Sequence, residues 1–457
     1  MGCNICIVGA GLAGSECALQ LAGRGYAVTL FEMRPAVATP VHRSALCAEL
    51  VCSNSLKSTK PASAAGMLKQ ELQALGSYVY EVALRCAVPA GGALAVNRED
   101  FAAGVTQLVC DHPGISLVRQ EVTDVAALLE AYDAVVLATG PLTSNALAAS
   151  LQRFTGADYL AFFDAAAPIV MADSLDREKV FRQSRYEEGQ GDYLNAPFSK
   201  EEYQAFIEAL LDAQRVIAKD FESKDLFQAC QPIEEIARSG FDAPRFGPLK
   251  PVGLTDPRTG RRPWAALQLR AEDAYEQSYN LVGFQTNLTF PEQQRVFRLI
   301  PGLEQAEFAR YGVMHRNTFI DAPRLLDASL RLTSAEAAAY RAPLFVAGQL
   351  SGTEGYVEAI RSGLHAALGV QAFCQGVAAP QLPVECAFGA LVAYATNPET
   401  LNYQPSHVNF GILPPLDPPV RNKQQRYALY AERGQAALRA YCEQLRDAGL
   451  LAGEAHA

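Results

Sequence analysis

"NICIVGAGLAGSECALQLAGRGYAVTLFE", residues 4–32, decides the fold. Asn4 to Val8 is a short apolar, β-branched run suited to a buried parallel strand. Gly9, Gly11 and Gly14 follow at GxGxxG spacing, with Ala10 inside the turn. Next come a helix bearing Leu12, Ala18, Leu19 and Leu21, and a second strand, Ala27 to Phe31, that ends at Glu32. In such a turn the first glycine permits the tight reversal, the second lets backbone approach a pyrophosphate, and the third lets helix and strand pack closely. The helix N-terminus then faces the phosphate charge. Glu32, 18 residues beyond Gly14, stands where an acid bonds ribose hydroxyls. With Arg34 two residues on, it favours an unphosphorylated adenosine ribose, as in FAD or NAD.

Two later stretches choose between those ligands. "YDAVVLATGPLTS" (132–144) reads as a strand running into a turn at Gly140. "APLFVAGQLSGTEGYVEAIRSGLHAALG" (342–369) reads as a strand, a turn at Gly348 and Gln349, and a helix whose start carries Gly352, Gly355 and Tyr356. A plain crossover of the sheet accounts for this pattern, and so does a seat for the second half of an extended dinucleotide. The pattern resembles the glutathione-reductase-like flavoproteins, which favours FAD. The expected fold class is α/β: a glutathione-reductase-like Rossmann FAD-binding domain with an inserted α+β domain. The expected division is a discontinuous FAD-binding domain, 1–155 and 325–457, around an inserted substrate- and RNA-contacting domain, 156–324.

Composition sets the outer limits. The 457 residues, 49% of them hydrophobic, suffice for two or three domains with sizeable cores. A net charge of −10 argues against a protein that coats nucleic acid non-specifically, so any such contact must be local. Eleven cysteines, scattered and without paired CxxC spacing, suggest a reducing compartment, mostly buried thiols and no metal site. The chain begins without a basic leader and holds no apolar run of bilayer length, so the expectation is cytoplasmic, with no membrane partner.

Two thiols stand apart. Cys52, in "AELVCSNSLKS" (48–58), lies on a loop of small polar residues with Lys57 nearby. A thiol there serves packing or chemistry, and the residues alone leave both open. Cys230, in "FQACQPIEEIARSG" (227–240), precedes Pro232, which suits the first turn of a helix whose dipole would favour thiolate. Just upstream, "SKEEYQAFIEALLDAQRVI" (199–217) has a capping-box start, Ser199 to Glu202, and an apolar face of Phe206, Leu210, Leu211 and Val216.

From Arg245 to Arg270 six basic residues (Arg245, Lys250, Arg258, Arg261, Arg262 and Arg270) face one acid, Asp256, for a local charge of +5. The pattern suggests strands joined by a hairpin at Thr259 and Gly260. It is either a solvated face or a phosphate-contact surface with Trp264 close by. His315, in "YGVMHRNTFID" (311–321), is a lone histidine, which is more often structural than functional. After Tyr403 the chain is proline-bearing and extended, then helical, with Arg421, Lys423, Arg426 and Arg433.

Taken together, these words resemble the folate- and FAD-dependent tRNA (uracil-5-)-methyltransferases, the TrmFO family. The resemblance runs almost end to end: "GAGLAGSECALQLA", "AELVCSNSLKS", "VPAGGALAVNREDF", "FFDAAAPIV", "YLNAPFSKEEY", "ACQPIEEIA", "RFGPLKPVGL", "YNLVGFQTNL", "VMHRNTFI" and "AGQLSGTEGYVEAIRSG". It implies methylation of uracil C5 in the tRNA T-loop, with methylenetetrahydrofolate as carbon donor and FAD reduced by NADPH or NADH. Cys230 matches the family's covalent nucleophile, Cys52 its general base, and His315 a folate-binding histidine. The basic residues Arg245, Lys250, Arg258, Arg261 and Arg262 would position the RNA. A paralogous group acts on ribosomal RNA, and a related, longer FAD-dependent enzyme modifies the wobble uridine. A disulfide oxidoreductase would work through a CxxxxC-type redox pair near the flavin; an FAD-containing RNA-binding factor would leave both thiols idle.

Overall fold

The computed structural model describes residues 2–39, 41–156, 160–165, 167–186, 191–216, 231–272, 275–312, 314–400 and 403–451. Asn4–Val8 (β1), Ala27–Glu32 (β2), Ile115–Arg119 (β3), Ala134–Leu137 (β4) and Leu344–Val346 (β5) form a parallel sheet in the order β5-β4-β1-β2-β3. Ile5 lies opposite Val28 on one side and Ala134 on the other, so β1 is central. Side chains alternate across a strand, and here both faces are covered. Ile5 and Ile7 enter one hydrophobic cluster with Val28 and Leu30, while Cys6 and Val8 enter a second with Leu137 and Val346. That is why the strand reads as a continuous apolar run.

Helix α1, Leu12–Gly23, follows β1, and helix α2, Tyr356–Gln375, follows β5. They touch backbone to backbone: a Cβ on Gly363 would lie 2.1 Å from the carbonyl oxygen of Ala13. The carboxyl-terminal half of the dinucleotide pattern is thereby pressed against the amino-terminal half.

Between β4 and β5 the chain builds a second, antiparallel six-stranded sheet. Its order is Phe181–Arg182, Tyr193–Phe198, Ala265–Ala271, Ser278–Leu281, Ile169–Met171 and Phe308–Arg310. Helices Lys200–Asp212, Ile233–Ser239 and Phe290–Phe297 close its core with Phe206, Ile233 and Phe297. A ribbon pairs Leu160–Ala165 with Met314–Phe319 where the chain leaves and returns. The architecture is α/β with an inserted α+β part, as expected.

Several local expectations change. The capping box of Ser199 and Glu202 is present, but the helix stops at Asp212 and Val216 is 62% exposed. Val216 donates its N–H to the carbonyl of Asn287 instead, so extended pairing has replaced the last helical turn. Pro232 is the N-cap of Ile233–Ser239 rather than part of its first turn. The expected hairpin is a turn closed by one bridge, Asp256 to Arg261, with Gly260 in the left-handed region at φ 65°. Arg421 precedes the last helix, Lys423–Asp447, whose N-cap is Asn422. Of the ten described cysteines only five are buried, so packing accounts for half of them.

Candidate active site

A cavity of ≈ 350 Å³ opens at the carboxyl ends of β1, β2 and β4, where ligands of open parallel sheets bind. Gly9 adopts φ 99°, and a Cβ there would stand 2.6 Å from the carbonyl oxygen of Ala138; no other residue fits. A Cβ on Gly14 would stand 1.8 Å from the carbonyl oxygen of Gly9, so this glycine serves packing and does not line the cavity. A Cβ on Gly11 would meet nothing within 4 Å: its open side is the cavity itself. Gly11 also caps α1 without a side-chain bond, which leaves the first-turn N–H groups available to an anion.

Glu32 lines the same cavity. One oxygen accepts the Ala10 N–H at 3.0 Å, the other accepts the Arg34 N–H at 3.0 Å and the Arg34 Nε at 2.8 Å. Burial pushes this carboxyl up, but the Arg34 bonds and charge and the Ala10 bond outweigh it and hold it below the usual range. It is an anion with lone pairs left over. Arg34 is a buried strut that also reaches Glu49 at 3.3 Å.

From the far wall come Gly140, Gly348, Gln349, Gly355 and Tyr356. Gly352 stands apart from the cavity lining: a Cβ there would fall 1.7 Å from the Tyr403 hydroxyl, so it makes room for that ring. Sequence reasoning missed Gln120, Glu121 and Val122, which follow β3, and His42 and Glu49 on the loop after Arg34. Nothing in their local pattern marks them, because only the sheet order brings them round. Burial and the Arg34 charge push His42 down to about 4, so it is neutral at physiological pH.

Cys52 is half-buried and lines the cavity beside the glycine turns. The Tyr356 hydroxyl accepts the N–H groups of Cys52 at 2.7 Å and Ser53 at 3.2 Å. Lys57 is not the cation that serves this thiol; its ammonium is paired with the buried Glu358 at 3.0 Å. The positive charge comes from Arg98 and Arg310, both within electrostatic reach of Cys52. Arg98 is itself held by Glu272 at 2.5 Å and donates to the Leu50 carbonyl at 2.9 Å.

Cys230 lies outside the described residues, as does the side chain of His315, whose backbone pairs with Asp164 in the ribbon. The basic stretch divides. Arg270 is buried and bonded to the Cys52 loop, so it leaves the basic face. Arg245 stacks on Trp264 at 3.7 Å and Arg258 is paired with Asp256 at 2.9 Å. Lys250 is half-buried, whereas Arg261 and Arg262 are exposed. Among the described residues no cluster of His, Cys, Asp and Glu is arranged to hold a metal ion, and no helix is long and apolar enough to cross a membrane.

A long cleft with a glycine cradle at one end, an acid at the ribose position and a second glycine turn opposite fits an extended dinucleotide. Comparison with known proteins agrees with that geometry. Residues 4–378 match the family model "Glucose inhibited division protein A". The chain is 53% identical over 431 residues to "Methylenetetrahydrofolate--tRNA-(uracil-5-)-methyltransferase TrmFO" of Thermosynechococcus vestitus, covering 94% of this chain and 92% of that one. It is 51% identical over 442 residues to the protein of the same name from Symbiobacterium thermophilum, covering 96% and 97%. Among solved structures, GidA of Aquifex aeolicus superposes with a TM-score of 0.71 at 16% identity, covering 99% of this chain and 77% of that one, which establishes the shared fold. The chain therefore belongs to the glucose inhibited division protein A family, and within it to the TrmFO group.

Proposed function

We propose that this protein is a methylenetetrahydrofolate- and FADH2-dependent tRNA (uracil-5-)-methyltransferase that converts the T-loop uridine to 5-methyluridine. The observation that carries the proposal is the convergence of both glycine turns, Glu32 and Cys52 on one cavity. The names of the half-identical relatives support the same activity. Gly9, Gly11, Glu32, Gly140, Gly348, Gln349 and Gly355 would hold FAD, with Ala10 and Gly14 behind the turn, and reduced flavin supplies the reducing equivalents that convert a methylene unit to a methyl group.

Uracil C5 is a weak nucleophile until a thiolate adds to C6 and pushes electrons to O4. Cys230 is assigned that addition, and Cys52 removal of the C5 proton once the one-carbon unit is attached. Loss of the proton lets the C6–S bond break and restores the ring. His315 is assigned to the folate. Arg261 and Arg262, together with Arg245, Lys250 and Arg258, would meet the RNA backbone. NADPH or NADH is the reductant, the compartment cytoplasmic, and the chain divides into 1–155 with 325–457 and an insertion at 156–324. The target base must be unstacked to expose C5 and C6 to two thiols.

The test is direct. Yellow protein incubated with unmodified tRNA transcript, methylenetetrahydrofolate and NADPH should yield 5-methyluridine at the T-loop, and Cys230→Ala and Cys52→Ala should each abolish it. Methylation of ribosomal RNA but not tRNA would retain the chemistry and replace the substrate; methylation by both variants would remove the thiol mechanism.

A further inference from the structure

The inserted sheet reaches the Cys52 loop through the end of one strand, Ala265–Ala271. Arg270 is only 5% exposed there. Its Nε donates to Asn54 Oδ1 at 2.8 Å and its Nη2 to Ser53 Oγ at 2.8 Å. Asn54 is fully buried, and its own Nδ2 donates to the carbonyls of Val96 at 3.2 Å and Ala271 at 3.1 Å, which fixes which way its oxygen faces. Glu272, two residues beyond Arg270 and just past the end of the strand, binds Arg98, whose Nη1 holds the Leu50 carbonyl. Leu50 on one side of Cys52 is thus held through Arg98 by Glu272, just past the end of that strand, and Ser53 and Asn54 on the other side by Arg270 within it.

The Asn54 and Ser53 acceptors of Arg270 are neutral oxygens. A buried guanidinium bonded this way costs desolvation free energy, and well-packed apolar replacements commonly equal or exceed it in stability. Arg98 and Arg310 lie within electrostatic reach of Cys52, and Glu272 and the Tyr356 phenol within reach of Arg270.

We propose that Arg270 is a positioning residue for Cys52: it locks Ser53 and Asn54 so that the thiol faces the cavity, and it adds positive charge beside it. This rests on the assignment of Cys52 to the reaction. It gives the inserted sheet a part in catalysis beyond contacting RNA, because the strand that begins three residues after Arg262 ends at the thiol loop.

The experiment compares wild type, Arg270→Lys and Arg270→Gln as FAD-loaded full chains. Alkylation of Cys52 by iodoacetamide is followed by peptide mass spectrometry, and kcat and KM for the tRNA transcript are measured alongside a thermal melt. Arg270→Gln should slow Cys52 alkylation and lower kcat by about tenfold or more, with KM nearly unchanged. Arg270→Lys should restore most of the alkylation through its charge but not kcat, since one ammonium cannot reproduce the fork that spans Ser53 and Asn54. Alkylation and kcat at wild-type levels in both folded variants overturns the proposal. If both variants fail to fold, Ser53→Ala, which removes one acceptor and keeps the charge, decides: kcat lowered severalfold at unchanged KM supports the proposal, and unchanged kcat overturns it. Methylation by Cys52→Ala would instead refute the role of Cys52, while slowed alkylation in Arg270→Gln would still establish the positioning.

Discussion

The hydroxyl of Tyr356, on the first residue of α2, lies 2.7 Å from the backbone nitrogen of Cys52, more than three hundred residues away in the chain. The contact joins the carboxyl-terminal glycine turn to the thiol loop, so one phenol sets where the cavity's far wall and its thiol stand relative to each other. Burial pushes that phenol well above its ordinary range and keeps it protonated. Tyr356→Phe should strand the N–H groups of Cys52 and Ser53 and cost about 1–3 kcal/mol in a thermal or urea melt. Unchanged stability would mean that water replaces the hydroxyl.

Gly11 and Gly14 should fail differently when changed to alanine. Gly14→Ala forces a methyl group onto the Gly9 carbonyl and should destabilise the apoprotein by about 1–3 kcal/mol or more. Gly11→Ala places its methyl in the open cleft, so the apoprotein melt should hold while FAD retention on a desalting column falls. Equal FAD content in Gly11→Ala and wild type would remove the dinucleotide from that end of the cavity.

Arg361 and Glu71 form a buried pair at 3.3 Å, 0% and 2% exposed, with the guanidinium 4.7 Å from the centre of the Phe388 ring. Removing one partner leaves the other charge buried alone. Arg361→Met and Glu71→Gln should each cost about 3–5 kcal/mol, and the double variant less than their sum. Strict additivity in urea melts would show that the two do not interact.

Glu234, fully buried, accepts the Asn287 N–H at 2.6 Å and a bond from the Thr286 hydroxyl at 3.0 Å, and burial pushes it up to about 7. Between its ordinary value of 4.5 and about 7 the folded state holds a proton that the unfolded state has released, so this group's contribution to stability falls as pH rises through that window. His42 and His365, pushed down to about 4, act in the opposite sense, adding stability as pH rises from about 4 toward 6.5. The difference between wild type and Glu234→Gln isolates the carboxyl: relative to wild type, the variant should gain stability from pH 5 to pH 8. A constant difference would refute the assignment.

The exposed arginines should govern RNA affinity. Arg261→Ala and Arg262→Ala should each weaken tRNA binding and lower the slope of log K against log salt by about 1. Arg245→Ala should act mainly on the melt, because its guanidinium is stacked on Trp264. A full loss of salt slope in Arg245→Ala alone would reverse that division.

Much of this was legible in the chain. The first strand, its glycines, Glu32 and the turn at Gly348 lie where the sequence pattern puts them, because a glycine forced to φ 99° against Ala138, or a strand buried on both faces, leaves its mark on neighbouring residues. Side-chain periodicity and backbone conformation are local, and local constraints are written locally. The company of Cys52 is not. Lys57, five residues on, is the natural partner in sequence, yet Glu358 claims it, and the thiol's surroundings come from Arg98, Arg270, Arg310 and Tyr356, brought together by helix and strand packing. Likewise a run of six basic residues reads as one face, but a strand alternates its sides and ends inside the molecule, which sends Arg270 to the thiol loop and leaves Arg261 and Arg262 to solvent. Sequence alone determined the backbone of the glycine turns that line the cavity; which charges meet at the thiol was decided only by tertiary packing, because electrostatic partners are chosen by distance in space, to which separation along the chain is no guide.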